Sequence, residues 1–374
     1  MPWKENTVMS QKEEFIRSVE TEAESFSALC AKFGISRKTG YKILNRFKNE
    51  GLEGLKPHSR MPLFNPNKTP QAIVDRILEV RAKHTTWGPR KILTVLQKQK
   101  LENLPAPSTV SDILKRHGFI SEEASKKRQA IIRFERSLPN ELWQMDFKGH
   151  FQLGIRKTCY PLTILDDHSR FSLCLHACQQ EDIFTVKKQL IRVFEQYGLP
   201  WQINVDNGAP WGNSSLVKHT KLTVWLLQLD ILVTHSRPRH PQTNGKNERF
   251  HRTLKEDILK RQALENFMHA QKVFDQWRNI YNYERPHEGI NMCVPADRYQ
   301  KSMRSMPGKL LPIEYDERVI IRKTNEAGLI SYCGLNYYVG KAFAGHFVEV
   351  RPNELLGLLE VYFGKHRVYQ ADLG

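Results

Sequence analysis

Apolar residues in the first third of the chain recur at helical spacing, and from about Leu138 they shorten into strand-length runs. In residues 25–51, SFSALCAKFGISRKTGYKILNRFKNEG, Phe26, Leu29, Cys30 and Phe33 share one helical face. Gly34 and Ile35 make a short turn, and Ser36 is a good N-cap for a second helix running to about Lys48. Two helices joined by so short a glycine-containing turn describe a helix-turn-helix. The second helix carries Arg37, Lys38, Lys42 and Arg46, the charge needed to enter a major groove, although a helical hairpin with a solvated basic face would carry the same residues.

Residues 57–69 hold three prolines and no periodicity, which predicts a linker. Gln71–Lys83 is amphipathic through Ile73, Ile77, Leu78 and Val80, residues 90–99 read as helix, and Ser108 or Thr109 is set to cap a last helix that stops at Gly118. This is a second helix-turn-helix candidate, with the Ser108–His117 helix as its reader. Lys126, Lys127, Arg128, Arg133 and Arg136 make residues 121–137 a basic linker, suited equally to solvent and to tracking phosphates.

Strands are predicted at Leu142–Phe147, Tyr160–Leu165 and Phe171–His176, the last two flanking a hairpin turn at Asp166–Arg170. An amphipathic helix over Asp182–Tyr197, a strand over Trp201–Val205, a helix over residues 214–229, a strand over Ile231–Thr234 and a helix from Lys246 to Arg261 follow. That order predicts an α/β unit with a mixed five-stranded sheet. Residues 268–300 read as helical, with Trp277, Ile280 and Tyr281 on one side. Six short apolar runs between Val319 and Tyr369, punctuated by Gly328, Gly334, Gly340 and Gly364, predict a small β-barrel. The chain is therefore multidomain: helix-turn-helix units at 1–56 and 70–120, the linker at 121–137, an α/β core at 138–300 and the barrel at 315–374.

Net charge changes the picture. With 57 Lys and Arg against 40 Asp and Glu the chain carries +17, and a large protein this basic meets a polyanion, usually nucleic acid. An anionic membrane has no support: there is no run of 18 apolar residues and no lipidation motif. The N-terminus lacks an apolar signal-peptide segment. The scattered cysteines (Cys30, Cys159, Cys174, Cys178, Cys293 and Cys333) form neither a disulfide framework nor a zinc signature, and they fit reduced thiols in a cytoplasmic protein.

Three carboxylates carry the candidate chemistry. Asp146 lies in the first core strand, Asp206 at the C-terminal end of the fourth, and Glu248 at the start of the helix after the fifth. Sites in open α/β sheets form beyond strand ends, so the three can meet although 59 and 41 residues lie between them. Phosphodiesters are cleaved slowly, and two Mg²⁺ ions about 4 Å apart solve that problem by lowering the pKa of the attacking oxygen and steadying the leaving one. Such hard cations need only carboxylate oxygens and water. Asp166 and Asp167 are left out of the site as turn residues. Arg252 and Lys255 share the face of Glu248, with His251 close by, which suits a DNA strand lying along the helix; a solvated basic face would look the same. Arg237, Arg239 and His240 fall in the preceding loop.

The stretches WQMDF, LDDHSRF, VDNGAPW, HPQTNGKNERFHRTLK and WRNIYNYERPHEGI resemble the catalytic core of insertion-sequence DDE transposases of the retroviral-integrase superfamily, in the bacterial branch where helix-turn-helix units precede an RNase H-like core. The resemblance covers nearly the whole chain. It implies that Asp146, Asp206 and Glu248 are the DDE triad, the first contacting two Mg²⁺ ions (with Mn²⁺ as a substitute) and the others one each. It implies a homo-oligomer, at least a dimer, pairing transposon ends. It also implies hydrolysis that frees a 3′-hydroxyl, which then attacks target DNA. No small-molecule substrate and no membrane partner are implied, and the location is cytoplasmic, on the nucleoid. The interval from Asp206 to Glu248 is longer than usual for the family, and the zinc-binding module of retroviral integrases is replaced by the helical units. Two other classes remain to weigh: a domesticated DNA-binding regulator, disfavoured by three intact acids, and a nuclease of RNA–DNA hybrids, disfavoured by the duplex-reading helices.

Overall fold

A computed structural model describes residues 7–21, 24–57, 68–120, 135–207, 210–212, 219–236, 245–353 and 355–373. The chain divides into two compact units, Met1–Thr69 and Pro70–Gly374.

In the first unit, α1 (Val8–Glu20), α2 (Phe26–Lys32) and α3 (Arg37–Glu50) surround Phe15, Ile16, Leu29, Cys30 and Leu55. Ser36 caps α3 through the Thr39 N–H. Helix α1 is not evident from the sequence pattern, because its only fully buried residues are the adjacent Phe15 and Ile16, too few to make a period. Phe15 meets the rings of Phe26 and Phe33 edge-on, at 6.0 and 5.5 Å between centroids. Side chains of α1 and α2 close in on the α3 backbone at Gly40. A Cβ there would lie 2.6 Å from Cys30 Sγ and 3.1 Å from both the Phe15 and Phe26 rings. Arg37, Lys38 and Lys42 are exposed and Arg46 is half-buried, so α3 presents a basic stripe outward.

The second unit opens with α4 (Gln71–Lys83), α5 (Pro89–Lys98) and α6 (Pro107–Arg116), packed around Ile77, Trp87, Ile92, Leu96, Val110 and Leu114. The predicted cap at Ser108 or Thr109 is displaced: Pro107 takes the first helical position and Ala106 the cap, since a proline at that position loses no helical hydrogen bond.

The core that follows is a mixed sheet between two helical layers. Its strands are β1 (Trp143–Phe147), β2 (Phe151–Gln152), β3 (Thr158–Asp166), β4 (Ser172–Cys178), β5 (Gln202–Val205) and β6 (Leu232–His235). In spatial order β4, β3, β1, β5 and β6 lie side by side. The pairs β4–β3 and β3–β1 are antiparallel, and β1–β5 and β5–β6 are parallel. The two-residue β2, beside the start of β3, makes the sheet six-stranded rather than five. One face buries Trp143, Met145, Leu162 and Ile164 against α7 (Ile183–Tyr197) and α8 (Lys221–Gln228). The other face packs Cys159, Leu165 and Leu175 against α9 (Gly245–Leu254) and α10 (Phe267–Asn279). Alternation along β1 therefore sends Trp143 and Met145 to one face and Gln144 and Asp146 to the other.

The segment WRNIYNYERPHEGI covers an exposed sheet edge. Arg278 donates to the Leu173 carbonyl, and Asn282 both accepts from Ser172 N and donates to Ser172 O. These bonds satisfy the backbone of the edge strand β4, which would otherwise recruit another strand. The helix predicted to reach residue 300 stops sooner. A π-helical turn ends at Glu284, because Pro286 forces Arg285 into extended backbone, and a 3-10 turn (Glu288–Ile290) and the short α11 (Pro295–Arg298) follow.

The C-terminal strands are β7 (Ile320–Lys323), β8 (Leu329–Tyr332), β9 (Leu335–Tyr338), β10 (Phe347–Asn353), β11 (Leu358–Phe363) and β12 (His366–Asp372). They do not form the expected barrel. An antiparallel sheet of order β12-β11-β10-β7 ends in two unjoined edges, and β8–β9 is a separate hairpin. Short apolar runs are common to barrels and open sheets, and what separates the two is which edges pair. Here the apolar face closes over α8 instead, packing Val224 and Leu227 of that helix with Phe343, Val348, Leu359 and Phe363.

Gly40→Ala should destabilise the first unit by about 1–3 kcal/mol through overpacking. Faster amide hydrogen exchange confined to α1–α3 would show it. Cys30→Ala in the same chain, by removing the sulfur that the new methyl meets, should recover most of the loss.

Candidate active site

The parallel pairing of β1 with β5 places Gln144 opposite Asn204. Continued by two residues, that register sets Asp146 beside Asp206, at the C-terminal ends of neighbouring strands, where open α/β sheets build their sites. Asp206 is half-buried, and His235 at the end of β6 reaches its carbonyl at 3.3 Å. Just beyond, Asn207 donates to the Ser236 carbonyl and ties the ends of β5 and β6 together.

Glu248 sits in the first turn of α9, and the helix is fastened to the sheet on both sides of it. After Glu248, the buried ring of His251 meets Thr163 Oγ1 at 2.8 Å. Thr163 lies opposite Asp146 in the β1–β3 register and donates its hydroxyl hydrogen to the Asp146 carbonyl. A hydroxyl has one hydrogen, so His251 Nε2 must be the donor to Thr163, and its Nδ1 is the bare nitrogen. That nitrogen faces Asp146 Oδ2 at 3.9 Å, too far for a hydrogen bond. Burial, reinforced by Lys148, pushes the His251 pKa down to about 3, so the ring is neutral. Before Glu248, Lys246 pairs with Asp167, and the Asn247 N–H donates to Gln144 Oε1 at 3.3 Å.

Asp146 is the electrostatic centre. Burial first, then the negative charge of Asp206, with smaller contributions from Glu181 and Glu248, push its pKa up to about 7 against an opposing hydrogen bond from the Phe147 N–H that outranks either of those two smaller contributions. Three other carboxylates thus act on one half-buried carboxylate. Among the described residues no three His, Cys, Asp or Glu side chains are gathered tightly enough to hold a metal ion. The donor chemistry nevertheless fits one: hard carboxylate oxygens whose mutual repulsion a divalent cation would relieve.

The other predicted positions divide. Arg252 and Lys255 are exposed, as is Glu248, while His251 is turned into the sheet. Arg237, Arg239 and His240 lie outside the described residues. Asp166 and Asp167 do sit at the β3–β4 turn, but both are fully buried. Asp166 accepts from Asn140 N, Ser169 N and Ser169 Oγ, and Asp167 from Arg136 N, Gln144 Nε2 and Lys246 Nζ. Sequence reasoning missed Glu181, Lys148 and Thr163. Lys148 lies near both Asp146 and Lys255, and its pKa is lowered by burial and then by Lys255. Thr163 becomes visible only once the β1–β3 register is known.

Residues 136–241 and 229–295 match the integrase core domain. Residues 11–62 match a helix-turn-helix domain and residues 39–114 a homeodomain-like domain. Residues 319–374 match the C-terminal domain of IS481 family transposases. An uncharacterized 31.7 kDa protein of insertion element IS407 from Burkholderia multivorans is 22% identical, over 62% of this chain and 82% of its own length. The transposase of transposon Tn552 from Staphylococcus aureus is 23% identical, over 94% of this chain and 81% of its own. A cryo-EM structure of the simian T-cell lymphotropic virus intasome with PP2A regulatory subunit B56 gamma aligns with 78% of this chain and 97% of its own at 14% identity, with a TM-score of 0.38. No helix among the described residues is long and apolar enough to cross a membrane.

The raised pKa of Asp146 makes the metal-free protein sensitive to pH. Between the ordinary value of 3.8 and about 7 the folded chain holds a proton that the unfolded chain has lost. Stability should therefore fall as pH rises through that window and level off above it. Asp146→Asn should raise the melting temperature in chelator at pH 8 and change it little at pH 4. Calorimetry at the two pH values checks this; an equal shift at both would contradict it.

Proposed function

We propose that this chain, which belongs to the insertion-sequence transposases of the integrase superfamily, joins transposon ends to target DNA with Asp146, Asp206 and Glu248 as its DDE triad. Its class of chemistry is polynucleotidyl transfer. The observation that carries the finer reading is the convergence on Asp146: Asp206 beside it in register, and Glu248 close enough for its charge to act on the same half-buried carboxylate.

The three carboxylates would hold two divalent cations, Mg²⁺ by preference and Mn²⁺ as a substitute. When bound, these lower the pKa of the attacking water or 3′-hydroxyl and neutralise charge on the leaving oxygen. The chain's own residues do the positioning. Asp146 and Asp206 are fixed by strand pairing, and Glu248 by the fastening of α9 on either side of it. The neutral His251 donates to Thr163 and adds no cation to the centre. Lys148, Arg252 and Lys255 line the approach with positive charge suited to a phosphodiester backbone. Arg237 and Arg239, which lie outside the described residues, are DNA-contacting residues in our reading.

Two transfers follow from one site. In the first, water attacks the phosphorus at the transposon end, the bond to the 3′-oxygen breaks, and that oxygen takes a proton to become a 3′-hydroxyl. In the second, the 3′-hydroxyl attacks a target phosphodiester and displaces a target 3′-hydroxyl, so one phosphodiester forms for each one broken. End recognition falls to the helical units at 1–56 and 70–120, with Arg37, Lys38, Lys42 and Arg46 of α3 at the major groove. The basic linker at 121–137, of which residues 121–134 lie outside the described residues, precedes a core at 138–300, with the open-sheet domain at 315–374. Two ends must be held together, so the working species is at least a dimer.

Asp206→Asn should abolish end cleavage and strand joining in Mg²⁺ while leaving end binding within a few-fold; a variant that still joins strands removes Asp206 from the triad. End affinity should fall with salt at a slope of roughly −0.9 per phosphate neutralised, and replacing Lys38 and Lys42 with alanine should flatten that slope. Fluorescence anisotropy across a salt series measures both.

A further inference from the structure

The geometry points to Asp167 and Lys246 as positioning residues that set Glu248 against Asp146. This rests on the reading of Glu248 as a metal-holding acid. Asp167 lies at the β3–β4 turn, and Lys246 lies two residues before Glu248. Their side chains are 0% and 14% exposed, so the ion pair is formed out of water. Asp167 Oδ1 also accepts from Gln144 Nε2 at 2.9 Å, and Gln144 Oε1 accepts from the Asn247 N–H at 3.3 Å. Gln144 is two residues before Asp146 on β1 and so shares its face of the sheet. The result is a cross-brace. One buried carboxylate holds the strand of Asp146 through Gln144 and the helix of Glu248 through Lys246, and Gln144 closes the loop onto the residue next to Glu248.

A buried ion pair is a poor way to gain stability, because desolvation consumes most of the attraction and a well-packed apolar pair does as well. What such a pair provides is direction. An ammonium has its favourable position only where the carboxylate is, whereas an apolar contact tolerates sliding. Without the brace, His251 on Thr163 still fastens α9 after Glu248, but the first turn loses its polar tie to β1 and to the β3–β4 turn. The Glu248 side chain is exposed, so its placement follows the backbone of that turn.

Removing one partner would strand a buried charge and risk unfolding, so the central variant is the double Asp167→Asn, Lys246→Met, which removes both charges. Lys246→Arg, Asp166→Asn and Glu248→Gln complete the set, all in the full chain. Asp166→Asn disturbs the same turn but not the brace. Three measurements apply: Mn²⁺ binding by electron paramagnetic resonance without DNA, amide exchange of residues 246–250 in metal-free protein, and melting temperature. The double variant should bind Mn²⁺ about tenfold or more weakly, the cost usual for a lost outer-shell partner, and exchange faster in the first turn of α9. Lys246→Arg should retain most of both properties. Wild-type Mn²⁺ affinity and protection in the double variant would overturn the inference, as would an equal loss in Asp166→Asn. If Glu248→Gln binds Mn²⁺ like wild type, the reading of Glu248 as a metal ligand fails instead, while amide exchange still decides whether the brace holds the helix.

Discussion

The fastening of α9 to the centre of the sheet is the constraint on which the rest of the structure turns. Strand pairing alone places Asp146 and Asp206 together, since adjacent parallel strands hold their ends in register. Glu248 has no such guarantee. It stands on a helix in another layer, and only side chains hold that layer in place. Thr163 and His251 fasten α9 behind Glu248, Asp167 and Lys246 fasten it in front, and Phe250 and Leu254 bury its underside. Polar contacts fix direction and apolar ones supply adhesion, so the turn that carries the exposed Glu248 is held close enough for its charge to act on the half-buried Asp146.

The surrounding architecture serves that placement. Helix α10 and the turn after it seal the β4 edge with Arg278 and Asn282. The core also carries Asp257, which accepts from Trp277 Nε1 at 2.9 Å and from Thr86, in the turn before α5, at 2.6 Å, so the second helical unit is tied to the same layer as α9. On the opposite face, α8 is shared between the core and the C-terminal sheet. A motif that reads as a family signature thus does structural work around the sheet, while the three acids stand at its open end.

Much of this was legible in the sequence, for identifiable reasons. Asp146 and Asp206 read as strand-end acids because both strands are short apolar runs, and the end of such a run is where a polar residue is conspicuous. The helix start near Lys246 was legible from its polar preceding loop. Asp167 read as a turn residue because the local string DDHSR has turn composition, and it does sit at the β3–β4 turn; nothing local reveals that the turn is buried or that a lysine 79 positions later will reach it. Thr163 and Glu181 depend on register and on loop course, which are tertiary properties. The barrel failed for a similar reason: strand-length periodicity is local, whereas pairing of β7 with β12 is not, and α8 offered their sheet another surface to cover. Helix α1 escaped because two adjacent buried residues make no period.

In the proposed mechanism three acids, far apart in sequence, form one divalent-metal centre. Iron-directed hydroxyl-radical cleavage tests it most directly, since Fe²⁺ substituted for Mg²⁺ in the presence of ascorbate and peroxide cuts only the backbone beside it. The account predicts cuts clustered near residues 146, 206 and 248 together, all suppressed by excess Mg²⁺. Cuts near only one of the three, or at sites that Mg²⁺ does not protect, would contradict it.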